Sequence, residues 1–348
     1  MSILILIPAA IAGIVPMLIA VTVIYWLDRY EREPWWLVAL VFLWGAIGGT
    51  GFGCFCNSTI IAGVDTVLGA DAANWIGPVI VAPLVEEVTK IIPLFALIFL
   101  RHFDNATDGL IYGAAAGLGF AMTENIMYFY QVGSSAGFLA MVTNILIRTL
   151  FTAQVHFAAS ACWGFVLGLA RYRHPALRWL VAPPVGYAAA VTIHAFWNGS
   201  ATYSSLNGAL DVQAGACVLI TCIGAFVLAL AQLSLFMEHR VIKAELLAEA
   251  SDGTLPLAHA DIIPYWLKRV SSDWAPPGVD KNAYARAATL LAFRRHQARH
   301  ASGDIAEQLE GEVRKYRHEV KLLLQRASPT HGAPPPAGGP PPGGRWGH

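Results

Sequence analysis

The chain has 348 residues, is 56% hydrophobic and 13% charged, and carries a formal net charge of zero, whereas soluble proteins carry about 25% charged residues. That composition excludes an ordinary soluble enzyme, and a neutral balance with no basic run outside the tail excludes a nucleic-acid binder. Nineteen of the Asp, Glu, Lys and Arg residues fall in the first 237 positions and 27 in the last 111, so an apolar block, residues 1–237, precedes a charged tail.

A bilayer core about 30 Å thick takes roughly 20 residues of helix. Seven stretches reach that length, at about 3 to 26, 35 to 56, 75 to 100, 109 to 130, 137 to 170, 179 to 200 and 209 to 237. The fold class is therefore all-α, a polytopic helical membrane protein with seven spans. The first stretch lacks a basic leader and exceeds a signal h-region, so it is expected to stay as a span. Loop 27–34 carries Arg29 and Arg32, loop 101–108 Arg101, and loop 171–178 Arg171, Arg173 and Arg178, while loops 57–74, 131–136 and 201–208 carry no Lys or Arg. By the positive-inside rule this predicts an extracytoplasmic N-terminus and a cytoplasmic C-terminus in the cell membrane. Gly113 with Gly117, and Gly164 with Gly168, are GxxxG pairs read as close helix packing rather than oligomerisation; the oligomeric state stays open. The stretch 137–170 is too long for one span and follows Gly133, Ser134, Ser135 and Gly137. A short interfacial or re-entrant helix over 137–150 is expected before the true span, giving eight helices. The five cysteines, at 54, 56, 162, 217 and 222, form no CxxC pair and read as small apolar residues.

Residues 238–327 form the charged cytoplasmic tail. Its segments 281–300 and 304–326 mix apolar and charged residues at helical spacing, which predicts two helices with little core. Residues 328–348 are Pro- and Gly-rich and predict disorder.

Ionisable residues inside spans cost several kcal/mol and mark function by default. They are Glu86, Glu87 and Lys90 in the third span, Glu124 in the fourth, His156 with Arg148 upstream in the fifth, and His194, with Asn198 one turn on, in the sixth. Lys90 reaches Glu86 at i+4 and Glu87 at i+3, and Arg148, Thr152 and His156 share a stripe if that helix is continuous. At 1.5 Å per residue Glu87 lies roughly 18 Å, Glu124 and His194 roughly 9 Å, and His156 roughly 6 Å from the outer ends of their spans. Two or three carboxylates and two imidazoles at overlapping depth point to one shared site open to the outside. Buried Glu can act as general base and then acid, His and Glu can hold a zinc ion, and Asn198 can donate to an oxyanion. Hydrolysis is the reaction class that fits. Arg148 alone reads as an interfacial snorkelling side chain.

The motifs carry a resemblance. Third-span LVEEVTK is an EExxK, Phe120 to Glu124 an FxxxE, and His194 to Asn198 an HxxxN, with His156 alone between them and DRYEREP at Asp28 to Pro34. In that order they resemble the PrsW family of intramembrane proteases, related to the CAAX prenyl endopeptidase and bacteriocin-processing proteins, over about residues 1–235. Glu124 stands where the relatives carry His. The resemblance implies a site-1 protease clipping a membrane-anchored anti-sigma factor. On this reading Glu87 or Glu86 activates water, Glu124, His156 and His194 position it directly or through zinc, and Asn198 stabilises the tetrahedral intermediate. The partners are a membrane-anchored protein substrate and the lipid bilayer. The rival readings are a proton-coupled transporter or channel using the same residues as a relay, and a membrane scaffold whose tail recruits a partner.

Overall fold

The computed structural model describes residues 2–100, 102–271, 273–301 and 303–325; the Pro- and Gly-rich end expected over 328–348 lies outside them. Among the described residues there is no strand. The helices are α1 (Ser2–Leu27), α2 (Trp35–Leu43), α3 (Thr50–Leu68), α4 (Ala70–Ile76), α5 (Ala82–Leu97), α6 (Ala106–Ala136), α7 (Phe138–Ile147), α8 (Ala153–Leu169), α9 (Ala182–Asn207) and α10 (Leu210–Ser251). In the tail they are α11 (Leu257–Ala260), α12 (Trp266–Ser271), α13 (Lys281–His300) and α14 (Asp304–Gln325). Widened π-helical turns at Trp44–Gly49, Gly77–Val81 and Arg148–Thr152 join α2 to α3, α4 to α5 and α7 to α8, and a fourth, Leu177–Val181, leads into α9.

Five of the helical stretches are long and apolar enough to cross a membrane by length and composition: Ile3–Leu27, Trp35–Leu68, Phe138–Leu169, Leu177–Asn207 and Leu210–Ser251. The other two expected spans are also helical, in α4–α5 and α6. Glu86, Glu87 and Lys90 dilute the apolar character of α5, and Gly residues with Asp108, Glu124 and Asn125 that of α6. The surface is inverted relative to a soluble protein: Leu139 and Phe55 are 80% and 71% exposed while Glu87 and Lys90 are fully buried, as expected where lipid faces the outside.

Three expectations are corrected. No break separates a short 137–150 helix from the following span, because the π turn Arg148–Thr152 carries α7 directly into α8. The stretch 57–74, read as a loop, is mostly helix, since nothing before Gly69, whose φ is +85°, ends α3. The tail has a core of its own. The C-terminal part of α10 packs with α13 and α14 through Ile242, Leu246, Tyr284, Leu291, Val313 and Val320. Small residues Ala287, Ala288 and Ala292 let the helices approach, so few large apolar side chains were needed. α10 runs unbroken through position 237.

The tightest packing in the bundle is between α6 and α8. A Cβ on Gly113 would collide with the Ser160 carbonyl, and one on Gly117 with the carbonyl of His156. Glycine is required at both places, and the contact sets the depth of His156 against α6.

Candidate active site

The site grows from α5. Its helical period sets Glu86, Glu87 and Lys90 on adjoining faces, and the Lys90 ammonium lies 2.7 Å from Glu87 Oε1 and 3.9 Å from Glu86 Oε2. It also sits 2.9 Å from His156 Nδ1 and 4.1 Å from the Phe120 ring centre. An ammonium only donates, so His156 accepts on Nδ1 and its ring proton stands on Nε2.

Glu87 is wholly enclosed. Its Oε1 also takes the Nδ1–H of His194 at 2.7 Å, and Ser160 donates to its Oε2 at 3.4 Å. With Nδ1 tied to a carboxylate, His194 presents an unprotonated Nε2, which lies 3.8 Å from Glu86 Oε2. Glu86 accepts from Asn57 Nδ2 on Oε1 at 3.0 Å. Glu124 Oε2 is 2.6 Å from His156 Nε2 and 3.1 Å from Arg148 Nη2, while Arg148 donates through Nε to Asn125 Oδ1 at 2.9 Å and stacks over Tyr128. Arg148 thus faces the bundle interior; the snorkelling role is corrected.

Helix irregularities support this frame. Pro93 has no N–H for the Thr89 carbonyl, and the Trp44 indole donates to it instead at 2.9 Å. The π-type partner of the Pro78 carbonyl would be residue 83, also proline, and Asn198 Nδ2 donates to that carbonyl at 2.9 Å. Asn198 is therefore held one turn from His194, against the π turn.

Sequence reasoning named Glu86, Glu87, Glu124, His156, His194 and Asn198; the first five meet here, while Asn198 is bonded to the Pro78 carbonyl instead of to any of them. It missed Asn57, Ser160 and the pairing of Arg148. Ser160 follows His156 at i+4 and extends the same stripe by one turn, so it could have been found. Asn57 fell in a stretch read as loop.

Glu86, His156 and His194 each offer a ligand atom within 4.8 Å of the others. Glu86 Oε2 is buried and lacks a hydrogen-bond partner, although buried polar atoms are nearly always paired. One carboxylate oxygen of Glu86 and an imidazole nitrogen from each of His156 and His194 are a donor set that fits a zinc-like cation, with Glu124 Oε2 2.6 Å from His156 Nε2 beside it. A cation bound at His156 Nε2 would displace the ring proton there.

Residues 33–231 match the sequence model of a family described as PrsW family intramembrane metalloprotease. The chain is 28% identical over 162 residues to "Protease PrsW" of Geobacillus kaustophilus, covering 46% of this chain and 66% of that protein. It is 28% identical to the Bacillus subtilis protein of that name over 46% of this chain and 68% of the relative, and 34% identical to the Clostridioides difficile one over 34% and 49%. The chain thus spans about two thirds of the length of the first of these relatives. No solved structure matches it.

Proposed function

The chain belongs to the PrsW family of intramembrane metalloproteases, and from that premise we propose that it hydrolyses a peptide bond of a membrane-anchored protein at the site built by Glu86, Glu124, His156 and His194. The observation that carries this reading is the meeting of buried Glu86, His156 and His194, whose ligand atoms lie within 4.8 Å of one another with Glu86 Oε2 left without a hydrogen-bond partner. A relay of protons would use the same residue types, but membership of a protease family favours hydrolysis over the transporter and scaffold readings.

In the proposed reaction Glu86 is the base. Glu124 is engaged by the Arg148 guanidinium, whereas Glu86 has only the neutral Asn57 amide at hydrogen-bond distance, which leaves it free to exchange a proton. Glu86 Oε2 takes a proton from water as the water oxygen bonds to the scissile carbonyl carbon and the carbonyl electron pair moves to oxygen. It then returns that proton to the amide nitrogen as the C–N bond breaks. Glu124, His156 and His194 position the water, and Asn198, whose amide donates one N–H to the Pro78 carbonyl, is assigned to the developing oxyanion through its other N–H. Glu87 positions the site by holding Lys90 and the His194 ring. His156 and His194 would hold a cation, zinc by the nature of the donors, with Glu124, already 2.6 Å from His156 Nε2, assigned as the carboxylate ligand in place of Glu86. Glu86 completes the trio of grouped ligand atoms but serves as base. When bound, the cation would acidify water and polarise the carbonyl.

The remaining assignments belong to the same reading. Seven crossings, with α4–α5 and α6 as the two polar ones, place the N-terminus outside and residues 238–348 in the cytoplasm. Cleavage falls at the extracytoplasmic end of a single-pass substrate's span, where a small or helix-breaking residue lets the backbone unwind; by resemblance the substrate is an anti-sigma factor. The test is cleavage of a single-pass reporter by purified protein, with product termini mapped by mass spectrometry and metal content measured in parallel. Termini at the extracytoplasmic boundary, and zinc that disappears in His156→Ala/His194→Ala, are expected; a cytoplasmic cut overturns the site, and an active metal-free protein overturns the zinc assignment.

A further inference from the structure

The side on which the tail packs holds a second concave feature. The loop between α1 and α2, the short helix α12 and the first half of α13 enclose a cavity of about 650 Å³. Four guanidiniums, of Arg29, Arg32, Arg269 and Arg286, share its wall with the indoles of Trp35, Trp36 and Trp266.

The cations are not neutralised. Among the described residues none of the four forms an ion pair. Arg32 donates to the Asp28 carbonyl and lies 4.0 Å over the Trp26 ring, and Arg269 donates to the Arg29 carbonyl. The two carboxyls in the wall have other partners, Glu31 with Arg294 and Glu33 with the Tyr112 hydroxyl. Burial, reinforced by neighbouring acids, raises both carboxyls above the ordinary range. The cavity is therefore cationic in a chain whose net charge is zero.

Its depth is set by the apolar side chains around it. Trp35 and Trp36 open α2, where a span begins, and stand 71% and 53% exposed, while α12 turns Leu267 and Val270 outward. Exposed indoles and aliphatic side chains at a helix end sit at headgroup level in a bilayer. A planar guanidinium binds phosphate oxygens in a two-pronged fashion. Unpaired arginines behind an aromatic rim at that level match a phosphate whose remaining bulk is acyl chain.

We propose that this cavity binds the phosphodiester headgroup of an anionic phospholipid, joining α12 and α13 of the tail to the loop between α1 and α2. A free phosphate would satisfy the arginines but has no use for the exposed indoles. An acidic peptide is the competing occupant.

The test uses the full chain in detergent, with native mass spectrometry against phosphatidylglycerol, phosphatidylcholine of the same acyl chains, inorganic phosphate and an oligo-glutamate peptide. Arg29→Ala and Arg286→Ala are suitable variants because both side chains are exposed and outside the helix packing. Wild type should retain one phosphatidylglycerol in preference to phosphatidylcholine, and each arginine removed should weaken retention roughly five-fold. Added phosphatidylglycerol should raise the melting temperature of wild type more than that of the double variant. Equal retention of phosphatidylcholine, unchanged retention in the double variant, or displacement by phosphate or by the peptide overturns the proposal. None of these outcomes bears on the protease site.

Discussion

Glu86 and Glu87 are neighbours in sequence, yet the fold gives them different surroundings. Glu87 is enclosed by Lys90, His194 and Ser160, each of which donates to it. Glu86 keeps one oxygen unpartnered. Glu86→Gln should therefore lower kcat by about 10²–10⁴-fold with little change in melting temperature. Glu87→Gln leaves the Lys90 ammonium buried without its counter-charge, and breaking such a pair costs about 3–5 kcal/mol. It should lose both activity and thermal stability, measured side by side in detergent; a stable but inactive Glu87→Gln protein would move the base from Glu86 to Glu87. The residue types were visible in the sequence because charges inside apolar runs stand out. Their division of labour was not, because i, i+3 and i+4 spacing lets Lys90 reach either carboxylate.

The site depends on departures from regular helix. Three π turns border it: Trp44–Gly49 runs against α5, Gly77–Val81 is held by Asn198, and Arg148–Thr152 delivers Arg148 to Glu124. An added residue per turn rotates the following side chains and frees carbonyls for outside donors, which is why such turns cluster at functional sites. The second device is the close approach of α6 and α8. Gly113→Val should drive a side chain into the Ser160 carbonyl and cost at least about 2 kcal/mol, with loss of activity as His156 is pushed from Glu124. Gly63→Ala, which meets nothing within 4 Å, is the matched control and should be neutral. Thermal melts of the two variants decide this: equal destabilisation would mean the α6–α8 contact carries no special load.

On the scale of the whole molecule, charge decides both orientation and pH response. Loops 27–34, 101–108 and 171–178 hold the basic residues and the alternating loops hold none. A reporter joined after residue 65 should accordingly be extracytoplasmic and one after residue 174 cytoplasmic, and either reversed would sink the orientation. At the face where the tail packs, Arg294 of α13 reaches Asp104 and Glu31, Glu238 of α10 takes the Thr107 hydroxyl, and Tyr30 contacts His239. Among the described buried groups here the acids Asp28, Glu33, Asp104, Asp108 and Glu238 outnumber the one buried guanidinium, Arg294. Burial pushes Asp28 up to about 6 and Glu33 up to about 9. A carboxyl that holds its proton longer when folded than when unfolded makes the folded state bind more protons, so stability falls as pH rises from the ordinary carboxylate range toward 9. The melting temperature should decline from pH 6 to pH 9, and Glu33→Gln should flatten that decline; a rise with pH would show these acids to be ionised in the fold.

The sequence by itself determined that the chain is helical and lipid-embedded, which residues are costly at membrane depth, and where α13 and α14 run, because hydropathy, charge and helical period are local properties. Family membership was equally legible, since EExxK, FxxxE and HxxxN each fit within two turns of one helix. Only the tertiary structure decided that Asn57, Ser160 and Arg148 join the site, that Glu87 stands behind it, and that the tail has a packed core. Those facts depend on how far each helix continues, on register across the α6–α8 contact, and on the register shifts at the π turns. None of these is expressed in any single segment: a glycine or a proline permits a close approach or a widened turn, but the neighbouring helix determines whether it occurs and which side chain it brings into reach.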